Sequence, residues 1–171
     1  YFRGDGTAAA KGARYKLAPL LRAPLKKDRN SLIVLANFVE VFLAKEGHDG
    51  VVGINYLEKI QLPTLPSLYG AMLADVDVVL MGAGIPRQIP KILDDLAAGR
   101  AAEMRLDVTG AKEPVCIHLD PSEFGAPPVL KRPLFLAIVS SPVLAENLRR
   151  KASGRVDGFV VEAPTAGGHN A

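Results

Sequence analysis

The chain has 171 residues, a net charge of +3 and an isoelectric point near 9.1. Its 49% hydrophobic and 23% charged residues suit a single globular domain with a real core. A lone cysteine, Cys116, excludes an internal disulfide and fits a reducing compartment, and no apolar run reaches the ~18–20 residues of a membrane helix, so a cytoplasmic protein with no membrane partner is expected.

Residues 1–31 are rich in Gly, Ala, Pro and Lys and show no period, so a basic, irregular arm or linker is expected there. Lys11, Arg14, Lys16, Arg22, Lys26, Lys27 and Arg29 face only Asp28 nearby. A nucleic-acid site has this charge. Aromatics for base stacking are sparse, however, and no nucleic-acid motif is present, so a solvated arm is the preferred reading and no nucleic-acid partner is expected. The opening has no apolar core of a signal peptide and no initiator Met, and the chain is expected to be an internal piece of a longer protein.

From Ser31 onward order sets in. "SLIVLAN" is a short continuous apolar run and predicts a strand buried on both faces. Asn37 is then placed to cap a helix, "FVEVFLAKE", with Glu40 as in a capping box and Gly47 at its end. "VVGINYL" predicts another buried strand. "TLPSLYGAMLAD" predicts a helix with Leu65, Leu68 and Met72 on one face, and "VDVVLMGAG" a further strand. Pro86 opens the next helical stretch, where Ile89, Ile92, Leu93 and Leu96 give amphipathic spacing up to Gly99.

The middle changes period. "EMRLDV" and "VCIHLD" alternate strictly about a turn-rich gap and predict an antiparallel hairpin with one wet face. Cys116 and His118 fall opposite Val115, Ile117 and Leu119, and two residues are too few for a metal site. "PLFLAIVSS" then predicts a strand, Ser141-Pro142 a helix start, Leu144, Leu148 and Ala152 its lining, Gly154 its end, and "GFVVEA" the last strand. Repeated strand–helix–strand units imply an α/β fold with a parallel sheet, either Rossmann-like or a TIM barrel.

Ligands of such folds bind at the C-terminal ends of the strands. There the sequence places Asn55, then Gly82-Ala83-Gly84, then Ser140-Ser141, then Glu162 through His169. Gly82-Ala83-Gly84 is half of a dinucleotide fingerprint whose third glycine position is Arg87, and a tight strand-to-helix turn explains it as well. Asn55 suits a ligand contact or a loop cap, and Ser140-Ser141 first of all a helix cap. His48, after Gly47, reads as a C-terminal capping or surface residue. His169 lies in a glycine loop after a buried strand, where an imidazole can take or give a proton near neutral pH.

"VEAPTAGGHNA" resembles the Ala-Gly-Gly-His segment of the nitronate monooxygenase family. "VVGINYL" resembles that family's Gly-(Val/Ile)-Asn strand end, and "VDVVLMGAGIP" and "FLAIVSS" resemble its following strands. The resemblance covers most of residues 32–171. It implies the central part of a (β/α)8 TIM barrel with an inserted antiparallel hairpin, incomplete at both ends. It implies FMN at the C-terminal face, with alkyl nitronates or nitroalkanes and O2 as small-molecule partners. His169 matches the family's catalytic base, Asn55 a flavin-contacting asparagine, and Gly167, with Gly168 beside it, the flavin-contacting glycine loop. Glu162 falls where many members carry a flavin-contacting glutamine, and Pro164-Thr165 departs from a common Gly-x-Glu. The family's phosphate-binding strands would follow Ala171, so residues 1–171 by themselves are expected to bind FMN poorly. FMN-dependent enoyl-acyl-carrier-protein reductases, which use NAD(P)H, share the Ala-Gly-Gly-His segment, and a flavin-binding module without catalysis is the remaining alternative. The oligomeric state is left open.

Overall fold

The apolar run Ser31–Asn37 does not form a strand. The computed structural model, which describes residues 20–166, puts it inside helix α1, Lys27–Ala44. A short apolar run does not by itself distinguish strand from buried helix. Here a second apolar run follows, and one 18-residue helix takes the place of what reads as a strand and a separate helix. It also begins inside the stretch expected to be irregular. Asn30, Val34 and Val41 form its buried stripe, with Phe38 half-buried between them. Asn37, expected as an N-cap, sits in mid-helix, and its Nδ2 donates to the Ile33 carbonyl at 2.9 Å.

The remaining elements follow in order: strand β1 Gly53–Leu57, helix α2 Thr64–Leu73, β2 Val78–Gly82, α3 Ile89–Ala97, β3 Ala102–Leu106, β4 Val115–Leu119, a 3-10 turn at Pro121–Phe124, β5 Leu134–Val139, α4 Pro142–Lys151 and β6 Gly158–Val161. Strands β1, β2, β5 and β6 form a four-stranded parallel sheet in that spatial order. Strands β3 and β4 form a separate antiparallel pair, with Met104 opposite Ile117 and Glu103 opposite His118. The protein is therefore a mixed α/β fold with an inserted hairpin.

One face of the sheet makes the core. Val79 and Met81 of β2 and Phe135, Ala137 and Val139 of β5 are buried against Leu65, Leu68 and Met72 of α2, Ile92, Leu93 and Leu96 of α3, and Leu148 of α4. The hairpin lays Ala102, Met104, Ile117 and Leu119 on the far side of α2 and α3. That outer cover explains why α2 is buried along its whole length, Thr64 to Met72, rather than on one face only. Alpha-helix α1 also packs on α2, at Gly70, where a Cβ would run into the Val34 backbone.

The other face of the sheet is open among the described residues. Val78, Leu80, Leu136, Ile138 and Val160, all partly exposed, point to it, together with the more exposed Leu57, Leu134 and Asn55. Strand β1 is accordingly half-buried at Ile54 and Tyr56 and exposed at the positions between, not buried on both faces as expected. Glycines let these side chains lie across the neighbouring strands. A Cβ on Gly82 would be 2.9 Å from Ile138 Cβ, and one on Gly158 would be 2.9 Å from Leu136 Cδ2.

The strand N-termini are tied by a repeated device. Asp77 precedes β2 and Asp157 precedes β6. Asp77 accepts from the Val52 N–H at 3.0 Å, from Lys45 Nζ at 2.8 Å and from Lys131 Nζ at 3.1 Å. Asp157 accepts from the Phe135 N–H at 2.8 Å and from Arg132 Nη1 at 2.7 Å, with Arg155 on its other oxygen at 2.7 Å. Each carboxylate thus joins a strand start to two cations. Such buried-edge hydrogen bonds to an ionised acceptor are among the stronger ones in proteins.

Candidate functional site

The strand C-termini bring Gly82–Gly84, Ser140–Ser141 and Glu162 to one rim, whereas Asn55, expected at a strand end, stands lower, within β1. Asn55 is held at mid-strand in β1, beside Leu80, with its side chain exposed on the open face. Gly82 ends β2. Ala83 follows with φ +52°, a left-handed conformation that costs a non-glycine residue free energy and persists only where its surroundings impose it. Gly84 follows with φ +156°.

After β5, Ser140 is exposed. Ser141 caps α4, its hydroxyl accepting from the Leu144 N–H at 3.3 Å, as the sequence predicts. After β6, Glu162 is half-buried, and its N–H donates to the Val139 carbonyl at 2.9 Å, which extends the β5–β6 ladder past the end of the strand.

Asn55 and Glu162 are not neighbours. They lie on the two outer strands of the four-stranded sheet, three strand spacings of about 4.8 Å apart and at different heights. A shared ligand would have to bridge the sheet. Gly167, Gly168 and His169 lie outside the described residues.

Glu58, which sequence reasoning passes over, belongs to the same rim. It follows β1, its N–H donates to the Gly82 carbonyl at 2.8 Å, and its Oε1 accepts from Gln61 Nε2 at 3.2 Å. Its carboxylate lies over Gly84. The only signal in the sequence is a charged residue just past an apolar strand, which is ordinary.

The other sequence candidates resolve simply. His48 is a capping residue. Its Nδ1 accepts from the Gly50 N–H at 2.9 Å, so Nε2 carries the proton and donates to the Ala44 carbonyl at 2.7 Å, at the end of α1. Cys116 and His118 share the outer face of the hairpin, and His118 Nδ1 lies 3.4 Å from Glu103 Oε2. Burial, and then the Glu103 carboxylate, push the Cys116 thiol above its usual range, which keeps it protonated and weakly nucleophilic. Among the described residues no three His, Cys, Asp or Glu side chains gather as a metal site, and no helix is long and apolar enough to cross a membrane. Arg87, at the missing third position of the dinucleotide fingerprint, instead donates from Nε and Nη2 to Asn147 Oδ1 at 3.1 and 2.7 Å.

The rim offers an exposed hydroxyl, a strained turn and two carboxylates, and the apolar sheet face below it an exposed amide. Comparison with protein-family models, curated proteins and solved structures finds no match to this chain.

Proposed function

We propose that the chain is the central part of an FMN-dependent (β/α)8-barrel oxidoreductase of the nitronate monooxygenase type, acting on alkyl nitronates with O2. The observation that carries the reading is the parallel order β1-β2-β5-β6, in which successive strand–helix units lie side by side without reversal. This is the order of consecutive barrel strands and supports the barrel, although one arm of a doubly wound sheet shares it up to the switch point. The apolar open face supports it too. A barrel interior is filled by layers of branched side chains, and Leu80, Leu136 and Ile138 set against Gly53, Gly158 and Gly82 on neighbouring strands suit such a layer. The proposal requires that the remaining strands come from residues outside those described.

The donor chemistry of the rim and of the open face below it suits a flavin in part. The Asn55 amide both donates and accepts, which matches the alternating carbonyls and ring nitrogens of an isoalloxazine edge. The Glu162 carboxylate, when ionised, only accepts, so it can meet a ring N–H but not a ring carbonyl. The strand-face glycines are not themselves a cradle, because Ile138 and Leu136 already fill the space beside Gly82 and Gly158. The fit therefore rests on Asn55, with Glu162 restricted to one kind of partner. When bound, FMN supplies the electron-transfer chemistry. In this proposal Asn55 orients the ligand on the open face, the apolar side chains beneath keep water from that side, and His169 takes the proton from the carbon that bears the nitro group.

Substituting Asn55→Ala in the full-length protein tests the cofactor part of the reading. It is expected to weaken FMN binding about tenfold, the size of one lost charge-free hydrogen-bonded contact with its desolvation. Unchanged FMN affinity, read by fluorescence titration, would remove Asn55 from the site.

A further inference from the structure

We infer that Glu58 is a positioning residue of the C-terminal rim: its side chain holds the Gly82–Gly84 turn in its left-handed shape, and through that turn sets one edge of the ligand site. The contact is tight. A Cβ on Gly84 would fall inside contact distance of Glu58 Oε2 and lie 2.8 Å from both Glu58 Cβ and Cδ. Gly84 is therefore needed twice over, once for its φ of +156° and once because a glutamate occupies the place of its side chain.

Two hydrogen bonds lock the arrangement. The Glu58 N–H holds the Gly82 carbonyl at 2.8 Å, which fixes the start of the turn. Gln61 Nε2 holds Glu58 Oε1 at 3.2 Å, which turns the carboxylate toward Gly84. Ala83, between them, adopts φ +52° without the freedom of glycine. A conformation of this kind needs neighbours that leave the chain no alternative; Ile138 packs beside Gly82 at its start, and Glu58 is the side chain packed against Gly84. The inference about the turn stands apart from the flavin reading. Its effect on a ligand rests on that reading, because only there is the rim a flavin site.

The test uses E58A, E58Q, G84A and the double variant E58A/G84A of the full-length protein. E58A is expected to speed amide hydrogen exchange at residues 83–85 about tenfold while leaving the buried helix α2 unchanged. E58Q keeps the length of the side chain and an oxygen for Gln61, and is expected to restore the wild-type rate. G84A is expected to lower the melting temperature by more than about 4 °C. The double variant is expected to melt above the sum of the two single effects, because removing the carboxylate clears two of the three obstructing atoms. Exchange at 83–85 that ignores E58A, an E58Q no better than E58A, or strictly additive melting shifts would each overturn the inference. FMN titration of the same set separates the two readings. Weaker binding by E58A, recovered by E58Q, extends the role of Glu58 to the ligand. A wild-type protein that binds no FMN would end the flavin reading, while the exchange and melting results would still decide the role of Glu58.

Discussion

The Tyr56 phenol, on β1, donates to Asn37 Oδ1 at 2.8 Å and so ties the sheet to the middle of α1. The Ser67 carbonyl of α2 lies 3.1 Å from the same oxygen, so one hydroxyl stands at the meeting point of three elements. Asn37 uses both ends of its amide, accepting from Tyr56 and donating to Ile33. Burial pushes the Tyr56 phenol far above its usual value, which favours the protonated, donating form.

Substituting Tyr56→Phe keeps the ring and removes this donor. The Asn37 carbonyl oxygen then loses its partner within the structure, and the expected cost is about 1–2 kcal/mol. Urea denaturation checks it: the midpoint should fall with an unchanged slope. A stability equal to that of the wild type would show that the contact contributes nothing.

Gly70 marks the closest approach of α1 and α2. An added Cβ would be 2.9 Å from the Val34 carbonyl carbon, 3.0 Å from its Cα and nearer still to its oxygen. The obstruction is backbone, which cannot rotate aside as a side chain can. Gly70→Ala should therefore destabilise by about 1–3 kcal/mol through overpacking, although alanine is the better helix former. Thermal melts of the pair decide the sign.

Asp77 predicts the acid limit of the fold. Its hydrogen bond from Lys45, then the Val52 N–H, and then Lys131, hold the carboxyl well below its ordinary value of 3.8, against the opposing effect of burial. Asp157 is also lowered: burial raises it, but the Phe135 N–H, Arg132 and Arg155 together outweigh that. A carboxyl depressed on folding contributes stability that is fully present above its unfolded value and is lost as the pH falls toward its folded one. Stability should therefore be flat near neutrality and decline below about pH 4. Asp77→Asn should be less stable than the wild type at pH 7, with the gap closing as the pH falls below that point. A gap that stays constant with pH would contradict the assignment.

The strand–helix rhythm was legible from β1 to β6 because each strand is a short apolar run with glycine or a cap residue beside it. Ser141-Pro142 announced α4, and the strict alternation around Met104 and Ile117 announced the hairpin with its wet Cys116 and His118 face. Helix α1 was not legible as one element. Its apolar residues run together without a clear period, so "SLIVLAN" fits a strand as well as a helix, and only packing of Val34 on Gly70 decides between them. The half-open sheet was missed for a related reason, since apolar side chains such as Leu80 and Leu136 look equally suited to a covered face. Asn55 was read as a strand-end amide, whereas it stands in the middle of β1, because the strand runs on to Leu57; its exposure on the open face is what remains of that reading. Glu58 was not, because its importance lies in a contact with Gly84 in the turn of the next strand, which no local pattern records. The clasps at Asp77 and Asp157 were hidden likewise, since an aspartate before a strand reads as an ordinary turn residue.

The central claim is tested most directly by mixing the full-length protein, carrying FMN and freed of oxygen, with an alkyl nitronate and, separately, with NADH or NADPH, while the flavin absorbance is followed. The account predicts bleaching of the oxidised flavin by the nitronate and none by the nicotinamides. Bleaching by the nicotinamides alone would contradict it and point to an enoyl-thioester reductase on the same kind of scaffold.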